Sequence, residues 1–511
     1  MTLPTTSLSS DSLPSHQDIR QTNGTDTLDV IGIGFGPSNI AFAAALADEN
    51  EAHPDKVQLT ALFLESSPTT AWHPGMLLPD AVMQIAFPKD LATLRNPRSR
   101  FTFFNYLFEN NRLTDFINLQ TFFPSRQEIA DYIQWAARNV PVDVHYGTSV
   151  TSIDTDGDIA VVNTVDANGN TQHYRARAVL LGTGLNPSLP DGLTENDRVS
   201  HSVHILPFLE QFREHNTTTP NKKLAVLGGG QSAAEIAKYL HATFPDSEVH
   251  LIHTRYGLTP SDDSPFANRV FDPDAVDKWH AAPVEERERL RAVHAGTNYT
   301  AVDPDLLDEL FRLTYKERLD GKKRLFIHDT TYVTSITETP DGVQLQLENS
   351  MDSTTETLNA DMLICGTGFN ESDPREFFVD LSHIPVDENG RVIVERDYRL
   401  ATGDTPAPAI YLCGGVEHSH GFSSSLLSLV SIRAGEVLES VKSYLATTCG
   451  RQLRAVAPAR HYPGGGSSLW GKAFREPCSA PCALRSTPQP SSSPNGSRST
   501  LYTLRFIPTR Y

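Results

Sequence analysis

Two glycine-rich turns carry the residue types that could hold phosphate groups. Gly34-Phe-Gly36-Pro37-Ser38-Asn39 follows one apolar run, and Gly228-Gly229-Gly230-Gln231-Ser232-Ala233 follows another. At such a turn, glycines let the backbone bend sharply, and a diphosphate binds the free N–H groups and the positive end of the next helix. One turn is a weak signal, because a tight structural turn looks the same. Two in one chain predict two dinucleotide-binding units.

The residue that follows the second strand of each unit distinguishes the two turns. Glu65 ends the apolar run Val57–Leu64, and an acid at this place binds ribose hydroxyls. Arg255 follows the run Glu248–His253 instead, and an arginine pairs with a ribose 2′-phosphate that an acid would repel. The contrast predicts FAD at the first turn and NADPH at the second. Either charge could also be a solvated side chain at a strand end.

Strands and helices must position these turns. A strand from Leu28 and a helix over Asn39–Ala47 are predicted around the first turn, and Lys222–Leu227 and Ala234–Ala242 around the second. The predicted class is α/β, with two Rossmann-like dinucleotide-binding domains and a small helical insertion. Further strands are predicted over Val142–Tyr146, Thr151–Thr164, Ala178–Leu181, Arg324–Ile327, Tyr332–Thr337, Val343–Glu348, Asp361–Cys365 and Ile410–Cys413, the first two as a hairpin or meander. Further helices are predicted over Phe101–Asn111, Ser125–Arg138 (with a capping box from Ser125 and Glu128), Pro283–Val293, Asp305–Arg318 and Ser423–Ser443.

The order and composition of these segments divide the chain into parts. We expect a disordered leader over residues 1–26, the first part of an FAD domain over 27–197 and an NADPH domain over 198–372. Within the latter, a helical segment covers about 258–320. The second part of the FAD domain is expected over 373–446, and a low-complexity, disordered tail over 447–511.

The composition argues against several classes of protein. The net charge of −19 argues against nucleic-acid binding, which needs a basic face. The five cysteines include no C-x-x-C pair, so no dithiol redox centre is predicted. His418 and His420 lack a carboxylate or cysteine partner, so no metal site is predicted. No apolar run reaches a membrane span of about 18 residues and the start lacks a signal sequence, so a cytoplasmic protein without membrane contact is expected.

Seven stretches of the sequence resemble one enzyme family. They read AWHPGM, MQIAFPKDLATLRNPRSRFTFFNYL, GGGQSAAE, PSDDSPFANRVF, NYTAVD, ICGTGFN and EHSHGFSSSLLSL. In these stretches the chain resembles the N-hydroxylating flavoprotein monooxygenases of siderophore biosynthesis, most closely the L-ornithine N5-monooxygenases, with L-lysine N6-monooxygenases as nearest relatives. The order of the stretches matches the family, and the long one over residues 83–107 is specific.

The resemblance implies which residues bind the cofactors and the substrate. FAD would be held by Gly34, Gly36, Pro37, Asn39, Glu65, Trp72, His73 and Gln84, the last beside the isoalloxazine and the reduced nicotinamide. NADPH would be held by Gly228, Gly230, Gln231, Ser232, Arg255 and Tyr299. The substrate would be held by Lys89, Asn268, Asn298, Leu426 and Ser428, with Lys89 and Asn268 clasping its carboxylate and amino group. No residue is assigned as an acid or a base.

The implied reaction is the N-hydroxylation of the side-chain amine of L-ornithine by a homo-oligomeric enzyme. NADPH would reduce FAD, the reduced flavin would capture O2 as a C4a-hydroperoxide, and the neutral amine would attack its distal oxygen to give N5-hydroxyornithine. Hydroxylation of lysine stays open, because one methylene is worth only about 1–3 kcal/mol in a pocket. A diamine fits less well, since Lys89 would lack a carboxylate to bind. The missing C-x-x-C argues against a disulfide reductase, and two complete turns argue against a non-catalytic redox sensor.

Overall fold

The computed structural model places two sheets with parallel strands at the centre of the chain. It describes residues 27–215, 222–297, 299, 301–380, 384–402 and 407–449. The leader predicted over 1–26 and the predicted tail beyond residue 449 lie outside these residues. Within the described part, no helix is long and apolar enough to span a bilayer. The predicted α/β class is confirmed.

The first sheet contains the Gly34 turn. Its strands are β1 (Thr27–Ile33), β2 (Ala61–Glu65), β3 (Asp143–Tyr146), β4 (Thr148–Asp156), β5 (Ile159–Asp166), β6 (Thr171–Leu181) and β19 (Ala409–Leu412). They run in the order β3-β2-β1-β6-β5-β4, and β19 pairs with β6. The hairpin or meander predicted from Val142 is wrong for its first strand, because β3 pairs in parallel with β2. Gly147, with a φ of 62°, turns the chain before β4, which forms the antiparallel pair with β5.

The second sheet contains the Gly228 turn. Its strands are β8 (Val199–His201), β9 (Lys223–Leu227), β10 (Glu248–Ile252), β13 (Leu325–His328) and β17 (Met362–Cys365). All pair in parallel, in the order β13-β10-β9-β17-β8. A separate antiparallel sheet is formed by β14 (Thr331–Thr339), β15 (Gly342–Asn349) and β16 (Thr355–Ala360). Its apolar face packs on the second sheet through Leu345 and Leu363.

Two short strands lie where the chain passes from the first sheet to the second and back. Strand β7 (Leu185–Pro187) comes directly after Gly182-Thr183-Gly184, and β18 (Phe369–Glu371) comes directly after Gly366-Thr367-Gly368. They pair in antiparallel fashion. Met76, Leu78 and Ala81, from the part of the chain between β2 and β3, are buried in the core of the second sheet. We call the part built around the first sheet the first half and the part built around the second sheet the second half. These buried side chains and the β7–β18 pair join the two halves.

Helices cover both sheets. They are α1 (Pro37–Ala52), α2 (Phe103–Glu109), α3 (Leu113–Asn118), α4 (Arg126–Asn139), α5 (Ile205–His215), α6 (Gln231–Thr243), α7 (Pro273–Ala281), α8 (Val284–His294), α9 (Pro304–Asp320), α10 (Glu417–His420) and α11 (Val430–Cys449). The short strands β11 (Thr259–Pro260) and β12 (Ala301–Val302) enclose α7 and α8 in the chain. Of the capping box predicted for α4, the structure shows the bond in which Ser125 Oγ accepts from the N–H of Glu128 at 3.1 Å. The carboxylate of Glu128 accepts from the hydroxyl of Tyr106 at 3.1 Å instead of returning to Ser125.

The helix predicted over Ser423–Ser443 is wrong at its start. Residues Phe422–Ser425 and Leu427–Leu429 form two 3-10 turns, and α11 begins only at Val430. Leu426 lies between the two turns with an extended backbone, φ −105° and ψ 160°, which interrupts the helical hydrogen bonds. Leu427 of this irregular stretch lines the pocket described below.

Candidate active site

The first glycine turn is shaped by the close approach of two strand ends. Gly34 has a left-handed φ of 78°, and a Cβ there would lie 2.6 Å from the carbonyl oxygen of Gly182. Gly36 is the N-cap of α1 without a side-chain cap, and a Cβ there would meet nothing within 4 Å. The first N–H groups of α1 therefore face open space that suits a diphosphate. Glu65 Oε2 accepts a 2.7 Å hydrogen bond from the N–H of Phe35 in the same turn.

Asn39 supports this turn from below and does not face the cleft. Its side chain is fully buried, and Nδ2 donates to the carbonyl oxygens of Ile33 and Gly34 at 3.1 and 2.7 Å. A Cβ on Gly182 would lie 2.7 Å from the same nitrogen, so Asn39 fills the space between the strand ends. The side chain of Asn39 therefore positions the turn, and the contact with FAD expected of this residue stays a prediction that only its backbone could fulfil. Pro37 takes the first helical position, where its missing N–H removes no helical bond.

The second glycine turn repeats this construction at the end of β9. Gly228 has a φ of 144°, and a Cβ there would lie 2.3 Å from the carbonyl oxygen of Gly366. Gly230 is the N-cap of α6, again without a side-chain cap. A Cβ on Gly366 would lie 3.0 Å from the Cβ of Ala233, so even an alanine at position 366 would crowd this close helix–strand packing. The N-terminus of α6 suits a second diphosphate.

Arg255 lies just beyond the end of β10. Its Nη1 donates to Thr259 Oγ1 at 2.8 Å. This is the edge of the sheet at which dinucleotide folds bind the ribose of the nucleotide. Ser232 is half-buried at the start of α6, one residue after Gln231. The arginine places a permanent positive charge at this edge, which suits a 2′-phosphate.

His73 lies close to Phe369 of strand β18, and Trp72 packs beside His73. His73 has a left-handed φ of 45°, and the centroid of its ring lies 4.9 Å from that of Trp72 and 6.3 Å from that of Phe369. A residue other than glycine adopts this backbone only where its surroundings hold it. Gly75 allows a close approach, since a Cβ there would lie 2.3 Å from the carbonyl oxygen of Val203. The AWHPGM stretch is therefore fixed against the second half of the structure.

The two glutamines expected at the two cofactors share one carboxylate. Gln84 Nε2 donates to Asp303 Oδ1 at 3.2 Å, and Gln231 Nε2 donates to Asp303 Oδ2 at 3.0 Å. The N–H of Asp303 donates in turn to Gln231 Oε1 at 2.8 Å. Asp303 was not among the predicted site residues, because in the sequence it is an acid directly before Pro304 and a helix, the usual position of an N-cap.

Lys89 is one of the residues that line a small pocket. Apolar side chains form most of its wall, among them Met83, Ile85, Phe87, Ile133 and Leu427. The Nζ of Lys89 lies 5.5 Å from the ring centroid of Phe271. Burial lowers the pKa of Lys89, and the charge of nearby Asp272 acts in the opposite direction. The pocket thus combines Lys89 and the acid Asp90 with walls that suit methylene groups.

Asp90, the neighbour of Lys89 in the sequence, forms no ion pair with it in the described part of the structure. Asp90 is buried, and its carboxylate accepts hydrogen bonds from the N–H groups of Ala92, Thr93 and Phe103 at 2.9, 2.6 and 2.7 Å. These bonds fix the irregular segment that carries Lys89. The acid of the Lys-Asp pair therefore has a structural use, and the lysine points to the pocket.

Asn268 is brought into the same region. It lies on the 3-10 helix Ala267–Phe271, whose last residue contacts Lys89. Its Nδ2 donates to the carbonyl oxygen of Asp263 at 2.7 Å, which fixes the side chain across its own loop. The second asparagine expected at the substrate, Asn298, lies outside the described residues.

Tyr299 joins the helical segment to the stretch after β19. Its hydroxyl donates a hydrogen bond to the carboxylate of Glu417, and Arg291 lies 4.0 Å from the same carboxylate. Burial raises the pKa of Glu417. The expected contact of Tyr299 with NADPH stays a prediction.

Ser428 and Leu426 lie on either side of Leu427 in the chain. Ser428 is buried, and its Oγ has no hydrogen-bond partner among the described residues. In the 3-10 turn Leu427–Leu429, successive side chains point about 120° apart. Leu427, between these two residues, lines the pocket, and the substrate contacts expected of Leu426 and Ser428 stay predictions.

His418 and His420 hold the backbone. Their Nε2 atoms lie 3.1 and 3.2 Å from the carbonyl oxygens of Val392 and Arg396. Burial lowers the pKa of His420 to about 3, so this ring is neutral at ordinary pH. In the part of the chain that the structure describes, no three His, Cys, Asp or Glu side chains gather as metal ligands.

A family model covers most of the structure just described. The model described as L-lysine 6-monooxygenase/L-ornithine 5-monooxygenase matches residues 26–371, which include both glycine turns, Lys89 and Asn268. The chain belongs to this family. The resemblance drawn from the sequence is confirmed.

Characterised members of the lysine/ornithine monooxygenase family match most of the chain. An L-ornithine N(5)-monooxygenase of Burkholderia cepacia is 38% identical over 405 residues, which are 77% of this chain and 89% of the relative. The structure of an ornithine N-hydroxylase of Kutzneria sp. 744, with reduced FAD, NADP+ and L-ornithine, has a TM-score of 0.76 at 38% identity. It covers 82% of this chain and 99% of that one. An ornithine hydroxylase of Pseudomonas aeruginosa has a TM-score of 0.76 at 34% identity, with 82% and 100% covered. The expected pair of dinucleotide-binding domains is confirmed.

Three residues around the site of this family member were missed in the sequence. Phe271 contacts Lys89, Leu427 lines the pocket, and Asp303 joins the two glutamines. Phe271 lies inside the quoted stretch PSDDSPFANRVF, and Leu427 lies inside EHSHGFSSSLLSL. Asp303 is likewise the last residue of the quoted stretch NYTAVD. The stretches therefore carried a signal for all three residues, but the bonds of Asp303 to two glutamines are visible only in its tertiary contacts.

Proposed function

We propose that this family member hydroxylates the side-chain amine of L-ornithine at N5, using FAD, NADPH and O2, and so supplies a hydroxamate siderophore. The names of its relatives in Burkholderia cepacia and Kutzneria support this substrate. The observation that carries the proposal is the meeting of Lys89 with the Ala267–Phe271 turn beside an apolar pocket. It offers a cation for a carboxylate and apolar walls for a short methylene chain.

The two turns fit the two cofactors, because each presents the uncapped start of a helix next to a glycine with a positive φ. FAD would be held by Gly34, Gly36, Pro37, Asn39, Glu65, Trp72, His73 and Gln84. NADPH would be held by Gly228, Gly230, Gln231, Ser232, Arg255 and Tyr299. When bound, the flavin supplies the activation of O2 that no side chain provides. The chain itself binds, orients and shields the reactants.

The substrate would be oriented from both ends. Lys89 would bind the α-carboxylate, and Asn268 and Asn298 would bind the α-amino group and the carboxylate. The side-chain amine must be neutral to react, although its pKa in water is about 10.4 if it resembles that of lysine. The burial that lowers the pKa of Lys89 also favours a neutral amine in this pocket. The hydroxyl of Ser428, buried without a partner among the described residues, would accept a hydrogen bond from that amine.

Lysine N6-hydroxylation is the second candidate, because the family description names both amino acids. The test is to incubate the purified protein with FAD and NADPH and with ornithine, lysine or cadaverine, and to measure the hydroxylated amine by mass spectrometry. We expect ornithine to be preferred over lysine by about tenfold or more in kcat/KM, the discrimination that one methylene gives, and cadaverine to be poor. A preference for lysine would replace ornithine as the substrate. H2O2 without hydroxylated product from every amine would overturn the proposal.

The domain boundaries, the oligomeric state and the cytoplasmic location belong to the same proposal. The FAD domain would comprise residues 27–197 and 373–446, and the NADPH domain residues 198–372 with the substrate segment at about 258–320. An exposed apolar surface on α2, α3 and the loop after α3 supports a homo-oligomer. Its largest members, Phe108, Leu119 and Phe122, expose 67, 69 and 62% of their surface.

A double substitution tests the homo-oligomer. Phe108→Glu with Leu119→Glu places two charges on this surface, and we expect light scattering to show monomers where the wild type forms dimers or larger assemblies. Val57→Glu is the matched control, since Val57 is an equally exposed apolar residue outside the surface. A wild-type monomer, or an unchanged mass of the double variant, would show that this surface is not the interface.

A further inference from the structure

One chain of hydrogen bonds joins residues of both halves, and three of its members, Asp303, Glu235 and Arg126, have no assigned role. It runs from Gln84 through Asp303 to Gln231, as described above. Gln231 Nε2 also donates to Glu235 Oε1 at 2.9 Å. Arg126 then donates from Nη1 and Nη2 to the two oxygens of Glu235, both at 2.9 Å. The side chains of Arg126 and Glu235 are 14 and 8% exposed, so this ion pair is shielded from water.

Both ends of this chain are fixed in the same part of the first half. The N–H of Arg126 donates to the carbonyl oxygen of Ala81 at 2.8 Å, and the N–H of Met83 donates to that of Pro124 at 2.9 Å. Gln84 is the next residue after Met83. The hydrogen bonds therefore run from Arg126 of the first half to Glu235 and Gln231 of α6. They continue to Asp303 at the start of α9 and end at Gln84 of the first half. In such a ring, a shift of one member breaks two bonds, so the members fix each other.

Asp303 serves this ring and not its own helix. It is the N-cap of α9, a position at which an aspartate side chain normally accepts from an N–H of the first turn. Here the side chain makes no capping bond, and its two oxygens accept from two glutamines. The helix gives up one of its usual stabilising contacts. The carboxylate is half-buried between the two halves, where only these amides satisfy it among the described residues.

We propose that Asp303 is a positioning residue that fixes Gln84 against Gln231 and thereby sets how the nicotinamide meets the flavin. The inference rests on the proposed function, which places Gln84 beside the isoalloxazine and Gln231 at NADPH. Gln231 is held by three bonds, from the N–H of Asp303 and to the carboxylates of Asp303 and Glu235. Asp303 in turn holds Nε2 of Gln84, so the Oε1 of Gln84 is directed away from the carboxylate and is available to the cofactors.

The substitution Asp303→Asn tests this role with almost no change in shape. One acceptor becomes a donor, and because Gln231 is held by further bonds, Gln84 is the residue that must turn its amide over. We expect the rate constant of flavin reduction by saturating NADPH, measured by stopped flow without O2, to fall about tenfold, the effect of one hydrogen bond to a charged group. The melting temperature, the FAD content and the KM for ornithine should stay at the wild-type values.

Asp305→Asn is the matched control, since it removes the same charge from an exposed position two residues further along α9. A rate constant for Asp303→Asn equal to that of Asp305→Asn would overturn the positioning role. If Asp303→Asn does not fold, Asp303→Glu replaces it, because the longer side chain keeps the charge but displaces both glutamines. An unchanged reduction rate in that variant would be equally decisive.

A double-mutant cycle separates positioning from general weakening of the structure. In a Gln84→Ala background, Asp303→Asn should have little further effect on flavin reduction, because the amide that it orients is gone. Fully additive losses would contradict the proposal. These rate constants are measured without an amine, so they stand even if ornithine is not the substrate. A wild type that reduces its flavin normally but hydroxylates no amine would refute only the proposed function.

Discussion

Lys89→Ala is expected to raise the KM for ornithine by about 100-fold while flavin reduction by NADPH, measured without substrate, stays within about twofold of the wild type. The ammonium of Lys89 lies beside the pocket, 5.5 Å from the ring centroid of Phe271. A hydrogen bond between charged groups contributes about 1.5–3 kcal/mol, and the upper part of this range corresponds to the expected change. Initial rates of hydroxyornithine formation over a range of ornithine concentrations measure it.

Lys56→Ala is the control for this substitution. Lys56 is a partly exposed lysine of the same half, 3.5 Å from Glu49, and is remote in sequence from the pocket-lining segment. It should leave the KM for ornithine unchanged. Slow flavin reduction in Lys89→Ala with an unchanged KM would show that the lysine serves the flavin and not the substrate carboxylate.

Arg255→Ala is expected to lower kcat/KM for NADPH by about 100-fold and that for NADH by less than about threefold. Only NADPH carries the 2′-phosphate that the guanidinium would bind. Arg255 follows β10 at the edge of the second sheet, where its side chain is already oriented by a 2.8 Å bond to Thr259. Steady-state rates with each coenzyme, at a fixed saturating ornithine concentration, give the two values.

Arg312→Ala controls for the loss of a positive charge from the second half. Arg312 is exposed on α9 and pairs with Asp308 at 3.3 Å. Both coenzymes should then behave as with the wild type. If Arg255→Ala also keeps its preference for NADPH, another residue recognises the 2′-phosphate.

The elements with strong local signals could be predicted from the sequence. The strand–turn–helix from Lys223 to Thr243 and the helix capped by Ser125 both lie within a few residues of the prediction. Strand β16 was missed because its residues show no apolar alternation, and it forms only by pairing with β15. Helix α5 was not predicted either, although the sequence carried a signal for it, since Ile205, Phe208, Leu209 and Phe212 are buried at helical spacing.

The candidate site was predictable where chemistry follows the chain and not where it depends on tertiary contact. The glycines of both turns were found because their spacing along the chain is fixed. The sequence does not show which way the side chain of Asn39 points, and in the structure it donates to the carbonyl oxygens of Ile33 and Gly34. The bond between Gln84 and Asp303 joins residues 219 positions apart, so no local pattern could reveal it.

The most direct test of the central claim follows the oxygen atom. The purified protein is supplied with FAD, NADPH, ornithine and ¹⁸O2, and product mass and NADPH consumption are measured together. We expect N5-hydroxyornithine carrying one ¹⁸O atom, formed in a ratio close to one per NADPH consumed, because one atom of O2 would be transferred to the neutral amine and the other would leave as water. Unlabelled product, or NADPH consumed with H2O2 as the only oxygen-derived product, would contradict it.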